Sequence, residues 1–370
     1  MVRKSIGVLV VDDSAVIREI ISDLVEATPD MRVVGRAPNG QRAVEMVETR
    51  SPDVVTLDIQ MPMMDGLSAL EAMLQKRPVP VIMVSSLTKA GADITLDALD
   101  RGAIDYIAKP TSPAETQKLF ARELIEKIRA EAGTNVARIL QIRREQKMRR
   151  GQRKKALAAT SKVVSSACPQ NLADKCIALG ISTGGPPALA SLLPSLRPPM
   201  PPIVIVQHMP SQFTKSLAWR LDSLSALSVR EAEATSVLRP NHVLIAPGGR
   251  HLILREVRGE VRVSLNDKPP VSGHKPSVDV MMHSAAKIYG SRCLGVIMTG
   301  MGRDGSDGCR AIRAAGGYVL GQDEATSDVY GMNKVAFIEG NVDRQFNLNE
   351  AAGKINLQMR HLWTKQTLTV

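Results

Sequence analysis

Two α/β domains, each built on a mostly parallel sheet flanked by helices, are what this sequence predicts, and three observations predict them. Short apolar runs alternate with helix-spaced stretches twice over, from Met1 to about Arg129 and again from about Lys175 to Val370. Many of these runs end in acids, hydroxyls or histidine, as strands do in open parallel sheets, where function gathers at the carboxyl ends. Between the two blocks lies a polar, basic tract without a sustained apolar face, a composition that separates domains rather than building one. At 370 residues and 44% hydrophobic content, the chain can bury two full cores.

In the first block, residues 1–129, strands are expected at Gly7 to Val11, Val33 to Gly35, Val54 to Leu57, Val79 to Val84 and Tyr106 to Ala108. Ile17, Ile20, Ile21, Leu24 and Val25 recur at helical spacing on one face, with Ser14 near the start of that helix. A last helix uses Leu119, Leu124, Ile125 and Ile128 and runs on toward Gly133. Five repeats predict a doubly wound sheet of five parallel strands. Asp12 and Asp13 end its first strand, Asp58 the third, Ser85 and Ser86 the fourth, and Lys109 follows the fifth. Three carboxylates at one sheet edge repel one another unless a cation sits among them, and oxygen ligands with open positions suit Mg²⁺. An aspartate beside Mg²⁺ can accept a phosphoryl group, because the metal and a nearby lysine offset charge on the transferring oxygens.

An aspartate at a strand end is usually just a loop residue, so it is the joint order that carries weight. VVDDS, LDIQMPMMDG, MVSS and YIAKP, in this order and spacing, resemble the receiver domain of two-component response regulators, which has a flavodoxin-like fold. The resemblance implies that Asp58 is the phosphoacceptor and that Asp12 and Asp13, with Asp58, hold Mg²⁺. It implies Ser85 as the switch hydroxyl, Tyr106 as the switch aromatic and Lys109 as the phosphate partner. A degenerate receiver kept only for packing should have lost at least one acid or the lysine.

The net charge of +11 invites a nucleic-acid reading, but its location argues otherwise. From Arg129 to Gln170 there are eleven Lys or Arg and two Glu, a net of +9, which leaves +2 for everything else. Residues 130–174 therefore read as a basic linker with weak helical content. Aromatic residues make up 3% of the chain, too few for base-stacking platforms. No apolar run approaches the roughly 20 residues of a membrane span, and the charged start lacks a signal-peptide core. The expectation is a cytoplasmic protein with no membrane insertion. Four scattered cysteines, Cys168, Cys176, Cys293 and Cys309, lack metal spacing and read as reduced packing residues.

The second block, residues 175–370, opens with CIALGISTGGPP. Ile177 to Leu179 read as a buried strand that ends in Ser182 and Thr183, followed by a glycine pair and a helix-starting proline pair. Free N–H groups at such a turn can face developing negative charge. A serine there is a candidate nucleophile, although an isolated serine before a helix is more often its cap. A helix from Ala188 to Leu196, a strand from Ile203 to Val206 and a helix from Phe213 to Leu224 follow. Next comes a polar, strand-rich stretch in which LILREV and VRVSLN flank RGE as a hairpin. A helix at Val278 to Tyr289, a strand at Leu294 to Met298, a helix at Asp307 to Ala315 and a strand at Tyr318 to Gly321 come after it. Helices around Val329 to Phe337 and from Asn349 complete a mostly parallel α/β sheet with a hairpin insertion.

The strand at Ile203 to Val206 runs into Gln207 and His208, and the one at Leu294 to Met298 into a glycine-rich loop holding Asp304. If these strands lie near one another, Ser182, His208 and Asp304 project from one edge, which is what a serine-hydrolase triad requires whatever its chain order. Histidine can take the serine proton near neutral pH, aspartate orients it, and backbone N–H groups around Met301 can face an oxyanion. Of the six histidines, His242, His251 and His361 lie in less suggestive surroundings, while His274 and His283 could line a substrate cleft. Gly300, Gly302, Gly305 and Gly308 could instead form a nucleotide loop, but no P-loop lysine or dinucleotide fingerprint supports that.

GISTGGP, QHMPSQFT, APGG, GHKPSVDVMMHSAA and TGMGRDG, in this order, resemble the catalytic domain of the chemotaxis receptor methylesterase and glutaminase family, and the receiver in front completes its architecture. The resemblance implies Ser182 as nucleophile, His208 as base, Asp304 as orienting acid, the Met301 amide as oxyanion donor and Thr183 in support. It implies removal of methyl groups from glutamate esters on methyl-accepting chemoreceptors, deamidation of certain glutamines there, and control by phosphoryl transfer from a chemotaxis sensor histidine kinase. Mg²⁺ serves the receiver, and hydrolysis needs no cofactor. The rivals are a response regulator whose second domain binds nucleic acid through the basic tract, and a non-catalytic adaptor with a vestigial triad.

Overall fold

A computed structural model describes residues 5–86, 88–110, 114–145, 148 and 172–364. Most of the basic tract, Cys168 and the last six residues lie outside the described residues. The chain divides into two compact units at Arg143, each described by itself.

The first unit runs β1 (Ile6–Val11), α1 (Ala15–Glu26), β2 (Met31–Ala37), α2 (Gly40–Arg50), β3 (Val54–Asp58), α3 (Gly66–Lys76), β4 (Val81–Ser85), α4 (Lys89–Arg101), β5 (Asp105–Ala108) and α5 (Ala114–Glu131). Its five strands lie parallel in the order β2-β1-β3-β4-β5. Helices that connect parallel strands cover both faces of a sheet, so β1, β3 and β4 read as nearly unbroken apolar runs rather than alternating ones. The Ser14 hydroxyl accepts from Ile17 N and caps α1. Ile21 and Val25 are fully buried, and each contributes roughly 1.5–3 kcal/mol by leaving water. Strand order reverses between β1 and β3, which puts Asp12 and Asp58 at one crevice.

Two expectations differ from the structure here. Leu119 is 68% exposed, and the buried stripe of α5 is Phe120, Leu124 and Ile128, at a clean spacing of four. Residues 136–145, placed in the linker on composition, form a further helix, α6, whose residues up to Arg143 belong to the first unit. Val136 and Ile139 are buried, Leu140 lies against Gly102, and Arg143 Nη1 donates to Leu99 O (2.7 Å) at the end of α4. A narrow apolar stripe and one cation on helix-end carbonyls are enough to dock it.

The second unit runs β6 (Cys176–Ile181), α7 (Gly185–Leu192), β7 (Ile203–Gln207), α8 (Ser211–Leu224), β8 (Ser228–Glu231), β9 (His242–Ile245), β10 (His251–Val257), β11 (Glu260–Asn266), α9 (Val278–Tyr289), β12 (Cys293–Ile297), α10 (Ser306–Ala314), β13 (Tyr318–Gln322), α11 (Met332–Ile338), β14 (Arg344–Phe346) and α12 (Ala351–Thr364). Seven strands make one parallel sheet, β14-β13-β12-β6-β7-β9-β8. β10 and β11 pair antiparallel as the expected hairpin, turning through Arg258 and Gly259 at φ of 53° and 79°. β7 leaves β6 on one side and β12 joins it on the other, so the direction of winding reverses at β6. α11 starts at Met332, later than the periodicity predicts, and β14 was not expected.

Cys176 and Cys293 oppose each other in register on β6 and β12, and Cys309 lies on α10. All three are free and fully buried, and burial pushes the Cys293 thiol up to about 12 and the other two well above the usual range. Among the described residues no helix is long and apolar enough to cross a membrane.

Candidate active site and phosphoacceptor site

Ser182 follows β6 and His208 follows β7, each one residue beyond the register pair Ile181 and Gln207. Neighbouring strands lie about 4.8 Å apart, so the two residues leave the sheet side by side. His208 N donates to Ile181 O (3.2 Å), and Ser182 N donates to Thr299 O (2.9 Å) beyond β12. Asp304 comes from the loop after β12, and its Oδ2 lies 2.8 Å from His208 Nε2. The Asp304 carboxylate also accepts from Ser277 Oγ (2.8 Å), Val278 N (2.7 Å) and Asp279 N (3.1 Å), the cap and first turn of α9. Burial alone would raise its pKa, but the His208 contact and these donors outweigh burial and hold the carboxyl well below the usual range.

With Nε2 facing a carboxylate as donor, Nδ1 is the nitrogen left to accept a proton. That Nδ1 is buried and has no partner among the described residues. The Ser182 hydroxyl makes no hydrogen bond there either, although apo catalytic pairs often close only with substrate. Nor is the hydroxyl spent on a cap: the N-cap of α7 is Gly184, with no side-chain bond. Gly184 sits at φ 75°, and a Cβ there would meet Asp328 Cβ at 2.6 Å.

Gln207 Nε2 donates to both Ser182 O (3.0 Å) and His208 O (3.2 Å), tying the two strand ends together. The Met301 N–H has no acceptor among the described residues, and its loop is pinned on either side by Gly300 N to Val329 O (3.1 Å) and Met332 N to Gly300 O (2.7 Å). Thr183 is held through its carbonyl, which accepts from Thr299 Oγ1 (2.9 Å). Of the other histidines, His274 stacks on His208, His251 accepts from Ser277 N (3.2 Å), and His283 and His242 bond nearby carbonyls. The His361 side chain lies outside the described residues.

At the edge of the first sheet, Lys109 Nζ lies 2.8 Å from Asp12 Oδ2 and 2.9 Å from Asp58 Oδ1. Oxygens of Asp12, Asp13 and Asp58 fall within 4.8 Å of one another. Three carboxylates against one ammonium leave uncompensated negative charge on an all-oxygen donor set, which fits a hard divalent cation. Burial, with Asp12 adding to it, raises the Asp58 pKa against the pull of Lys109. Ser85 Oγ is 2.9 Å from Thr95 Oγ1, and Tyr106 is buried with Lys127 Nζ 5.2 Å from its ring centroid. Lys127 Nζ also pairs with Asp105 (3.0 Å) and donates to Tyr106 O (2.7 Å).

A family model for the response regulator receiver domain matches residues 8–121, and one for the CheB methylesterase matches residues 177–355. The protein-glutamate methylesterase/protein-glutamine glutaminase 1 of Dechloromonas aromatica is 44% identical over 349 residues, 94% of this chain and 97% of that protein. The chain belongs to the CheB methylesterase family. The protein-glutamate methylesterase/protein-glutamine glutaminase of Pyrococcus horikoshii is 42% identical over 345 residues, 93% of this chain and 90% of that protein. The crystal structure of the Thermotoga maritima CheB methylesterase catalytic domain is 42% identical, with a TM-score of 0.48, covering 49% of this chain and 96% of that one.

For this CheB family member, sequence reasoning missed Gln207 as a tie, Asp279 behind Asp304, His251 behind Ser277, and the Lys127–Asp105 pair. A glutamine next to the candidate base, or an aspartate two residues into a helix, carries no spacing signal. Lys127 had one: a lysine on the apolar face of α5, one residue before Ile128.

Proposed function

We propose that this chain is a phosphorylation-controlled serine hydrolase of glutamate γ-methyl esters on methyl-accepting chemoreceptors, and a deamidase of glutamines there, with residues 175–370 catalytic and the first unit regulatory. The observation that carries it is the 2.8 Å His208–Asp304 bond beside Ser182, with His208 Nδ1 left unpartnered among the described residues. Nδ1 takes the Ser182 proton as Oγ bonds to the ester carbonyl carbon, and the Met301 N–H faces the resulting oxyanion. The C–OCH₃ bond then breaks, Nδ1 returns the proton to methanol, and water releases glutamate from Ser182 by the same route. From glutamine the leaving group is ammonia. Thr183 supports the nucleophile's turn.

On the first unit, Asp58 accepts a phosphoryl group from a sensor histidine kinase, with Lys109 beside it and Ser85 and Tyr106 as the responding pair. Asp12, Asp13 and Asp58 would hold Mg²⁺, which would offset charge on the transferring oxygens. Phosphorylation then biases the protein toward its active state. The working place is the cytoplasm.

The test is methanol release from methylated receptor membranes, with and without a small phosphodonor and Mg²⁺, for the wild type, Ser182→Ala and Asp58→Asn. Stimulated release that Ser182→Ala abolishes and Asp58→Asn leaves at its basal rate is the expected result. Full release from Ser182→Ala would overturn the nucleophile, and stimulation surviving in Asp58→Asn would overturn the acceptor.

A further inference from the structure

Among the described residues, the His208 ring is hydrogen-bonded at one atom only, Nε2 to Asp304. A ring tethered at one nitrogen can still swing about that tether, and the swing decides where Nδ1 points. The second constraint is a face. The His274 ring lies parallel to the His208 ring, 3.8 Å between centroids and 3° between planes. Flat contact between two planar rings restricts tilt while leaving both edges of His208 accessible.

His274 is placed there by a built turn. Val271 and His274 exchange backbone hydrogen bonds, Val271 N to His274 O (3.1 Å) and His274 N to Val271 O (2.9 Å). The two residues between them, Ser272 and Gly273, have φ of 51° and 82°, the two left-handed positions of the tightest hairpin turn. A serine in that region is held against its intrinsic backbone preference, so the turn is imposed by its surroundings. Three residues further on, Ser277, Val278 and Asp279 supply the donors that seat Asp304. One continuous segment, residues 271–279, thus fixes the acid on Nε2 and the ring on the face of His208.

We propose that His274 is a positioning residue for the base, acting through His208 by stacking, so that Nδ1 faces Ser182. The proposal rests on the reading of His208 as base. A planar ring at 274 is what the role requires.

The test uses the full-length protein and compares His274→Ala, His274→Leu and His274→Phe with His208→Ala. The readouts are kcat and KM for methanol release, the rate at which a serine-directed fluorophosphonate labels Ser182, and Tm. Loss of the stack should lower kcat and labelling in the Ala and Leu variants about 10- to 100-fold, the scale of a misplaced catalytic group. KM should stay within about twofold, and Phe should recover most of the lost rate at unchanged Tm. If Ala does not fold, Leu against Phe decides, since both keep bulk and only one is planar. Wild-type kcat in Ala and Leu overturns the proposal, as does Phe no better than Leu, or a rise in KM at constant kcat. An active His208→Ala variant would instead overturn the base assignment beneath it, while an inert one beside a wild-type His274→Leu sinks this proposal alone.

Discussion

Asp304 and Asp279 each cap the helix that carries or follows the other. Asp304, just ahead of α10, accepts from Ser277 Oγ, Val278 N and Asp279 N at the start of α9. Asp279, in the first turn of α9, accepts through Oδ1 from Gly305 N (2.9 Å) and Gly308 N (2.7 Å) at the start of α10. Two positive helix ends therefore share two buried carboxylates, and the acid behind His208 is fixed from both sides. Burial, with the Asp304 charge adding to it, pushes Asp279 up to about 6.

That shift has a sign. Between the unfolded value near 3.8 and about 6, the folded protein keeps a proton on Asp279 that the unfolded chain has lost. Stability falls as pH rises through this window, and the loss persists above it. Asp279→Asn keeps an oxygen for Gly305 and Gly308 but cannot ionise. Its stability relative to wild type should rise by about 1–2 kcal/mol between pH 4 and 6 and then level off, allowing for solvent screening. Thermal melts of both proteins against pH check this; parallel curves refute it. Asp304, held low, acts in the opposite sense and at lower pH, where its contribution is lost as pH falls below about 4.

Asp304→Asn removes the charge that supports the imidazolium and reverses the preferred tautomer. The kcat for methanol release should fall by about 10²- to 10⁴-fold with KM nearly unchanged. A loss carried mainly by KM would place Asp304 in substrate binding instead.

Gln207→Leu preserves bulk but deprives His208 O of its side-chain donor, while Ser182 O still accepts from Gly185 N (2.7 Å). One buried acceptor left unpaired costs about 1–3 kcal/mol, to be read from urea denaturation, and kcat should drop with it as the two strand ends loosen. Unaltered stability would show that the tie is dispensable.

Lys127→Met would leave Asp105 buried without its ion-pair partner. Destabilisation of about 3–5 kcal/mol is expected, with Asp105→Asn restoring part of it in the double variant, since breaking a buried pair costs more than replacing both halves. Calorimetry on the two variants measures the coupling; simple additivity would show the pair to be solvated.

The two parallel sheets and their chemically loaded edges were legible because strand-end residues in such folds are displayed by topology alone. Asp58 in the first unit, and Ser182, His208 and Asp304 in the second, each come at or after the end of a strongly apolar run, and adjacency of β12, β6 and β7 puts the last three at one edge. What stayed hidden depends on angle or on a partner far along the chain. Leu119 and Phe120 are adjacent and both apolar, so only the rotation of α5 tells which is buried. β8 is an edge strand with Ser228, Arg230 and Glu231 in it, and polar edges look like loops. α6 vanished into a basic tract because its apolar stripe, Val136, Ile139 and Leu140, is short and set among basic residues. Asp279, Gln207 and the His274 stack act through a few specific contacts that no periodicity encodes.

The opposed thiols of β6 and β12, with the third on α10, turn the second unit into its own breathing gauge. Their suppressed ionisation and complete burial mean that a thiol reagent at neutral pH meets Cys176 and Cys293 only when β6, the strand that leads into Ser182, or β12 beside it parts from its neighbours, and Cys309 only when α10 lifts from its packing. Labelling at Cys176, Cys293 and Cys309, read by mass spectrometry in the resting and phosphodonor-treated enzyme, therefore clocks opening of the catalytic sheet without an engineered probe.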